Sequence, residues 1–285
     1  MTEAAIQLAN LGILTGSMLG IFVLCALTFC VMGRLEGYNF VYELSHNDNP
    51  ALGIRFGLFS LAAVISLLGM LHPSQVGLQE DVNIIVGYGA LAIGLLVLAR
   101  YVNDKLILSG FPNNREVVEE KNIAVASVEG ATYVATGLII AGATSDWHGG
   151  VWVSLGWFVI GQTFLVILSL VYRATAWGVF NALDTHNHAC GIAISGFLLS
   201  GGIALGNAVS GPFNGWSEEL ANVGIYLAGW LVAMATAGII AQFLLVFVGR
   251  VRLLRSEILQ DRNIAAGVIE ASVFLAATLL FTKIW

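Results

Sequence analysis

Apolar stretches long enough to cross a bilayer recur along almost the whole of this 285-residue chain. A transmembrane helix needs about 20 predominantly apolar residues to cross a hydrocarbon core of about 30 Å. Such stretches occur at roughly 10–33, 51–71, 83–108, 121–143, 151–176, 189–209, 220–248 and 264–283. They are continuous rather than alternating, which selects helices over the strands of a membrane barrel. Only 11% of residues are charged and the mean hydropathy is +0.84, against about 25% charged in a soluble domain. The expected fold is therefore all-α, a polytopic transmembrane helix bundle of about eight spans. Turn-forming breaks separate them at Asn49-Pro50, His72-Pro73-Ser74, Gly110 to Asn113, Asp146 to Gly150 and Gly211 to Gly215.

The stretch around Leu11 lacks a basic leader and a small-residue cleavage site, so it is expected to be the first span. Cys25, Cys30 and Cys190 form no CxxC pair and are expected to pack in the core. Of the twelve Lys and Arg residues, all but Lys283 lie in or beside the first, third, fifth and seventh connections, Arg55 among them. The positive-inside rule places those connections in the cytoplasm and both termini outside. The opposite turns carry Glu80, Asp81, Asp146, Glu218 and Glu219, and Trp147, Trp152, Trp216 and Trp285 stand near the outer span ends as an interfacial belt would.

The two halves of the chain repeat one another. Asn49 to Ile54 matches Asn187 to Ile192 at an offset of 138, and Glu116 to Ala124 matches Glu257 to Ala265 at an offset of 141. Seven residues beyond Asn122 and Asn263 stand Glu129 and Glu270. Residues 1–143 and 144–285 are thus expected to be two four-helix units. An even number of spans gives both copies one orientation, related by a pseudo-twofold axis along the membrane normal.

The run Glu120-Lys-Asn-Ile-Ala-Val-Ala126 opening a closing helix, with an Asn-x-Ala-x-Gly run opening the second helix of each unit, resembles the YjfL-like bacterial family, domain of unknown function 350. The second copy departs from the pattern, with Gly267 for Ala126 and with Cys190 and His188 for Leu52 and Pro50. The resemblance implies a four-span inner-membrane unit, here duplicated, in a multi-pass protein of the bacterial cell membrane. It implies partners among cytoplasmic envelope-stress or peptide-amine ligase proteins, and it carries no settled activity.

Glu129 and Glu270 are the residues to which chemistry is most readily assigned. Eight residues into a span, each carboxylate lies roughly 12 Å below the boundary, where an unsolvated charge costs at least about 2.5–3.5 kcal/mol. They read either as a paired proton or cation site, or as two protonated acids bonded between helices. Asn49, Asn122, Asn187 and Asn263 open helices, and capping or interhelical bonding explains them more simply than ligand contact. The stretch Asp184-Thr185-His186-Asn187-His188 has donors that suit a transition metal but lacks a fourth ligand, so no metal site is expected there. The 33 glycines, including Gly12, Gly16, Gly20 and the pair Gly53 and Gly57, suit close helix packing within the bundle or between protomers of a homo-oligomer.

No P-loop, dinucleotide fingerprint, nucleophile elbow or HExxH occurs, and the connections are too short for a nucleotide-binding or nucleic-acid-binding domain. No cofactor, catalytic residue or nucleic-acid partner is expected; the partner is the lipid bilayer. Two readings of function stay open: an ion-conducting or ion-coupled protein working through the paired glutamates, and a non-conducting scaffold recruiting cytoplasmic envelope-stress partners. A membrane-embedded enzyme is the third.

Overall fold

The computed structural model describes residues 3–69, 78–110, 112–145, 150–247 and 253–285. The expected breaks at His72-Pro73-Ser74 and Asp146 to Gly149, Phe111, Trp147 of the aromatic belt, and the basic residues Arg250 and Arg252 lie outside the described residues. In chain order the helices are α1 (Glu3–Leu35), α2 (Phe40–Ser45), α3 (Pro50–Leu68), α4 (Leu78–Val102), α5 (Asn113–Val118), α6 (Ile123–Ala143), α7 (Gly150–Thr175), α8 (His188–Ala208), α9 (Trp216–Phe247), α10 (Leu254–Leu259) and α11 (Ile264–Ile284). Eight of these are long and apolar enough to cross a membrane. The polar connections hold more structure than turn composition indicated. α2, α5 and α10 are one-and-a-half-turn helices, a 3-10 turn lies at Phe180–Ala182, and α4 ends in a π-helical turn at Asn103–Ile107.

The helix starts explain much of this. α3, α6, α8 and α11 each begin after an asparagine in extended conformation whose side-chain oxygen accepts a backbone N–H of the first turn: Asn49 from Leu52, Asn122 from Ala124 and Val125, Asn187 from Cys190, and Asn263 from Ala265 and Ala266. A helix start leaves N–H groups without partners, and a capping side chain satisfies them. Immediately before each cap stands a residue in the left-handed region, Asp48, Lys121, His186 and Arg262, with φ of 46°, 52°, 58° and 51°. That turn reverses the chain from the short segment of the connection into the long helix, at a backbone cost of about 1–2 kcal/mol for a residue with a Cβ.

The four capped helices form a row, α3 against α6, α6 against α8, α8 against α11. Contacts along each seam join early residues to early ones and late to late, so the four run parallel with their caps at one level, the capped side. α1 and α4 flank the first half of the row, α7 and α9 the second. The middle two helices are the most enclosed. Close approach rests on missing side chains: a Cβ on Gly137 of α6 would fall 2.6 Å from the Ala62 carbonyl oxygen of α3, one on Gly206 of α8 2.6 Å from the Leu138 carbonyl oxygen of α6, and one on Gly267 of α11 2.5 Å from the Ala189 carbonyl oxygen of α8. The Gly12, Gly16 and Gly20 ladder of α1 does not take part, since a Cβ at any of them would meet nothing within 4 Å.

The order of the row corrects one expectation. A twofold axis along the membrane normal would set α11 against α3 as α6 stands against α8. Among the described residues α3 and α11 are instead the two ends of the row. The copies share one orientation but succeed one another head to tail.

Overpacking a close backbone seam costs about 1–3 kcal/mol or more. Gly206→Leu is therefore expected to lower the Tm in detergent by several degrees, while Gly16→Leu leaves it unchanged; equal effects would remove the glycine seam as the basis of packing.

Candidate functional site

Glu129 projects from α6 two turns beyond the Asn122 cap and is fully buried. It is met by Arg55, six residues beyond the Asn49 cap on α3, which is also fully buried. The guanidinium grips the carboxylate with both edges, Nε donating to Oε2 at 2.5 Å and Nη2 to Oε1 at 2.8 Å. Arg55 also donates through Nη1 to the Asn114 Oδ1 and through Nη2 to the Asn113 carbonyl oxygen, both at 3.2 Å. The Asn113 amide donates in turn to Asp104 at 2.9 Å. Arg100, buried on α4, approaches Asp104 to 4.0 Å and bonds Glu36 at 2.7 Å. Polar contacts thus run from Glu129, two turns inside α6, to Glu36 at the capped side. Sequence reasoning assigned Arg55 to topogenic charge beside the first connection; the structure places it inside α3 as the counter-ion of Glu129. The signal was present in its position, six residues past one cap opposite a carboxylate seven past another.

A bidentate arginine–carboxylate pair is a strong contact, and in low dielectric it offsets the desolvation of two charges only with such geometry and added hydrogen bonds. With both oxygens held by Arg55, the Glu129 carboxylate serves as a clamp between α3 and α6.

The second copy is built differently. The position matching Arg55 is Ala193, so no guanidinium faces Glu270 from α8. Glu270 accepts a hydrogen bond from the Tyr172 hydroxyl of α7 at 3.0 Å, and no other hydrogen bond or ion pair reaches it among the described residues. It lines a cavity of 370 Å³ whose walls are mainly apolar, with Phe197, Leu231, Met234 and Phe274 beside Tyr172. Gln242 of α9 also lines it; its Oε1 accepts from the Leu254 N–H, and its Nε2 is buried without a partner. The cavity exists because α7 and α9 stand apart at the capped side. On the far side they are bridged by ring pairs, Trp157 with Trp216 at 5.5 Å and Phe164 with Trp230 at 6.1 Å between centroids. Their counterparts α1 and α4 pack together.

The structure therefore does not bring the two glutamates together. Glu129 turns to α3 and Glu270 to α7, on either side of α8, and the expectation of one paired carboxylate site gives way to one closed and one open carboxylate. All four asparagines cap the helices they precede. Besides capping, their amides tie each helix start to a neighbour: Asn49 to the carbonyl oxygens of Val117 and Val118, Asn187 to that of Ile258, Asn122 to Glu116 and the Leu183 carbonyl oxygen, Asn263 to Glu257. His186 and Asn187 of the expected metal-like stretch form a left-handed turn and a cap.

Breaking a buried pair by removing one partner costs about 3–5 kcal/mol, whereas replacing both with apolar groups is often neutral. Arg55→Met and Glu129→Leu are each expected to lower the melting temperature sharply, and the double variant to regain most of the loss. A double variant no better than the worse single one would show that the pair is not the clamp.

A family model described as Domain of Unknown Function (DUF350) matches residues 6–144 and again residues 146–284. No curated protein and no solved structure matches the chain.

Proposed function

The chain belongs to the DUF350 family, carrying its unit twice, and on that premise we propose that it is an ion-coupled membrane protein in which Glu270 takes up a proton or a cation. The observation that carries this reading is the difference between the copies. One intramembrane carboxylate is neutralised by an arginine of the same chain. Its counterpart has alanine at the matching position and borders a 370 Å³ cavity. A carboxylate at this depth is costly without a counter-charge, so the open copy is suited to a mobile positive charge where the closed copy has a fixed one. Tyr172, Thr175 and Gln242 are the other polar groups that line the cavity, and Arg255, which also borders it, is exposed and donates to the Trp177 carbonyl oxygen rather than to Glu270. The mainly apolar walls and few oxygen donors fit a proton or an organic ammonium better than a hard metal ion, which needs six or more oxygens.

In this reading the protein sits in the bacterial inner membrane with its capped side in the cytoplasm and both termini outside, and it works as an assembly of copies. The orientation is tested by cysteine accessibility. A cysteine at Arg115, which is exposed at the capped side, is expected to be labelled only from the cytoplasm, and one at Ser210 only from outside; the reverse pattern inverts the topology.

The function is tested in proteoliposomes. Glu270→Gln preserves shape and hydrogen bonding but cannot carry the charge, and is expected to reduce proton or ammonium-ion flux to the level of empty liposomes while leaving the melting temperature within a few degrees. Ala193→Arg, which recreates the closed copy, is expected to abolish flux as well. Wild-type flux no greater than that of empty liposomes would end the ion-coupled reading in favour of a non-conducting scaffold for cytoplasmic envelope-stress partners.

A further inference from the structure

The seam between the two copies is used once inside the chain, and both of its faces are present a second time without a partner. Within the chain, α6 presents Ala124, Ala135, Leu138 and Gly142 to α8, and α8 presents Gly191, Gly202 and Gly206 in return. Shifting α6 by the repeat offset gives Ala265, Ala276, Leu279 and Lys283 on α11, all exposed, where Ala124 and Ala135 are at most 1% exposed. Shifting α8 gives Gly53, Val64 and Leu68 on α3. They fall on one stripe with Gly57 and Leu61, and Gly57, Leu61 and Leu68 are exposed. A Cβ on Gly191 would fall 2.8 Å from Ala124, whereas one on its counterpart Gly53 meets only a leucine tip at 4.0 Å, and one on Gly57 meets nothing.

A polar lock at the capped side repeats the pattern. Asn122 of α6 is fully buried because its amide, besides bonding Glu116, crosses the seam to the carbonyl oxygen of Leu183, four residues before the Asn187 cap. Asn263 of α11 makes the equivalent bond to Glu257 but is exposed, with no bond across a seam among the described residues. The residue four before the Asn49 cap is Ser45, at the end of α2. The acceptor that Asn263 lacks within its own chain therefore lies at the opposite end of the row.

We infer that the protein assembles with further copies of itself head to tail, α11 of one chain packing on α3 of the next, so that the internal α6–α8 seam recurs between chains. Two different, complementary faces make a heterologous contact, which closes into a ring when the rotation allows. Because both copies share one orientation, every such rotation is about the membrane normal and the ring lies in the bilayer. Within a membrane, small residues that let backbones approach drive such association, and Ala265, Ala276, Gly53 and Gly57 supply them. The Asn263 amide donates to the carbonyl oxygen of Ser45 of the partner subunit. Val64, Leu68 and Lys283 replace Gly202, Gly206 and Gly142 at the far side, so the seam between chains is tight at the capped side and wider beyond it.

The test is cross-linking in native membranes, in a background whose three cysteines are replaced by alanine. Gly53→Cys with Ala265→Cys reproduces the Gly191–Ala124 contact. On oxidation it is expected to convert most monomer to a ladder of adducts, whereas Val159→Cys with Val232→Cys, on the exposed surfaces of α7 and α9, gives none. Adducts no more abundant than in that control, or a closed monomer linked within one chain, would overturn the inference. The mass of the unaltered chain in lipid nanodiscs gives an independent reading. Oligomers are expected, and Ala276→Trp, at an exposed position of α11, is expected to dissociate them without changing the melting temperature of the monomer. Monomers alone at every concentration would likewise overturn it.

Discussion

Four parallel helices starting at one level, each with its first N–H groups bonded to an asparagine, set the terms for everything else in this protein. A helix start leaves N–H groups open, and where it is buried among neighbouring elements, as at Asn49, Asn122 and Asn187, the protein itself has to close them. Each asparagine does two jobs, capping its own helix with the side-chain oxygen and reaching a neighbouring element with the amide. The short helices α5 and α10 are held in place by those amides. The shared level also aligns four helix dipoles with their positive ends on the capped side, where negative charge is favoured within the first turns. Glu129 and Glu270, two turns in, sit toward the edge of that influence.

From this common frame the copies diverge through a few side chains. Arg55 against Ala193 decides whether the carboxylate is locked. The neighbouring packing follows suit. Where the first copy places Leu58 over Gly130, the second has the smaller pair Gly196 and Ala271. In the first copy α1 and α4 close over the site, whereas in the second α7 and α9 are bridged by tryptophan and phenylalanine rings on the far side and leave a cavity on the capped side.

The spans were legible because the bilayer imposes a length and a composition that sequence displays directly; six of the eight observed helices begin and end within about four residues of the expected spans, while α1 and α4 begin earlier, at Glu3 and Leu78. Glu129 and Glu270 were legible for the same reason, as charges where charge is costly. Arg55 was not, because a basic residue near a span end has a sufficient explanation in topology and nothing in a linear pattern says whether it points to water or into the bundle. The cavity beside Glu270 was equally hidden, since it depends on the distance between α7 and α9, which ring packing sets. Nor was the order of the row legible, for a twofold pair and a head-to-tail succession are written with the same repeated sequence.

Covalent linkage of the copies has a consequence for how the protein changes. If the four-helix unit were a separate chain assembling with itself, any substitution would appear in every subunit at once. An alanine in place of Arg55 would then leave every carboxylate without its counter-ion, and the clamp that stiffens the bundle would vanish together with the change that opened it. Joining two units in one polypeptide removes that coupling. One half keeps the rigid salt-bridged version while the other drifts, and the stoichiometry of locked to unlocked sites is fixed at one to one by the gene rather than by the chance mixing of subunits.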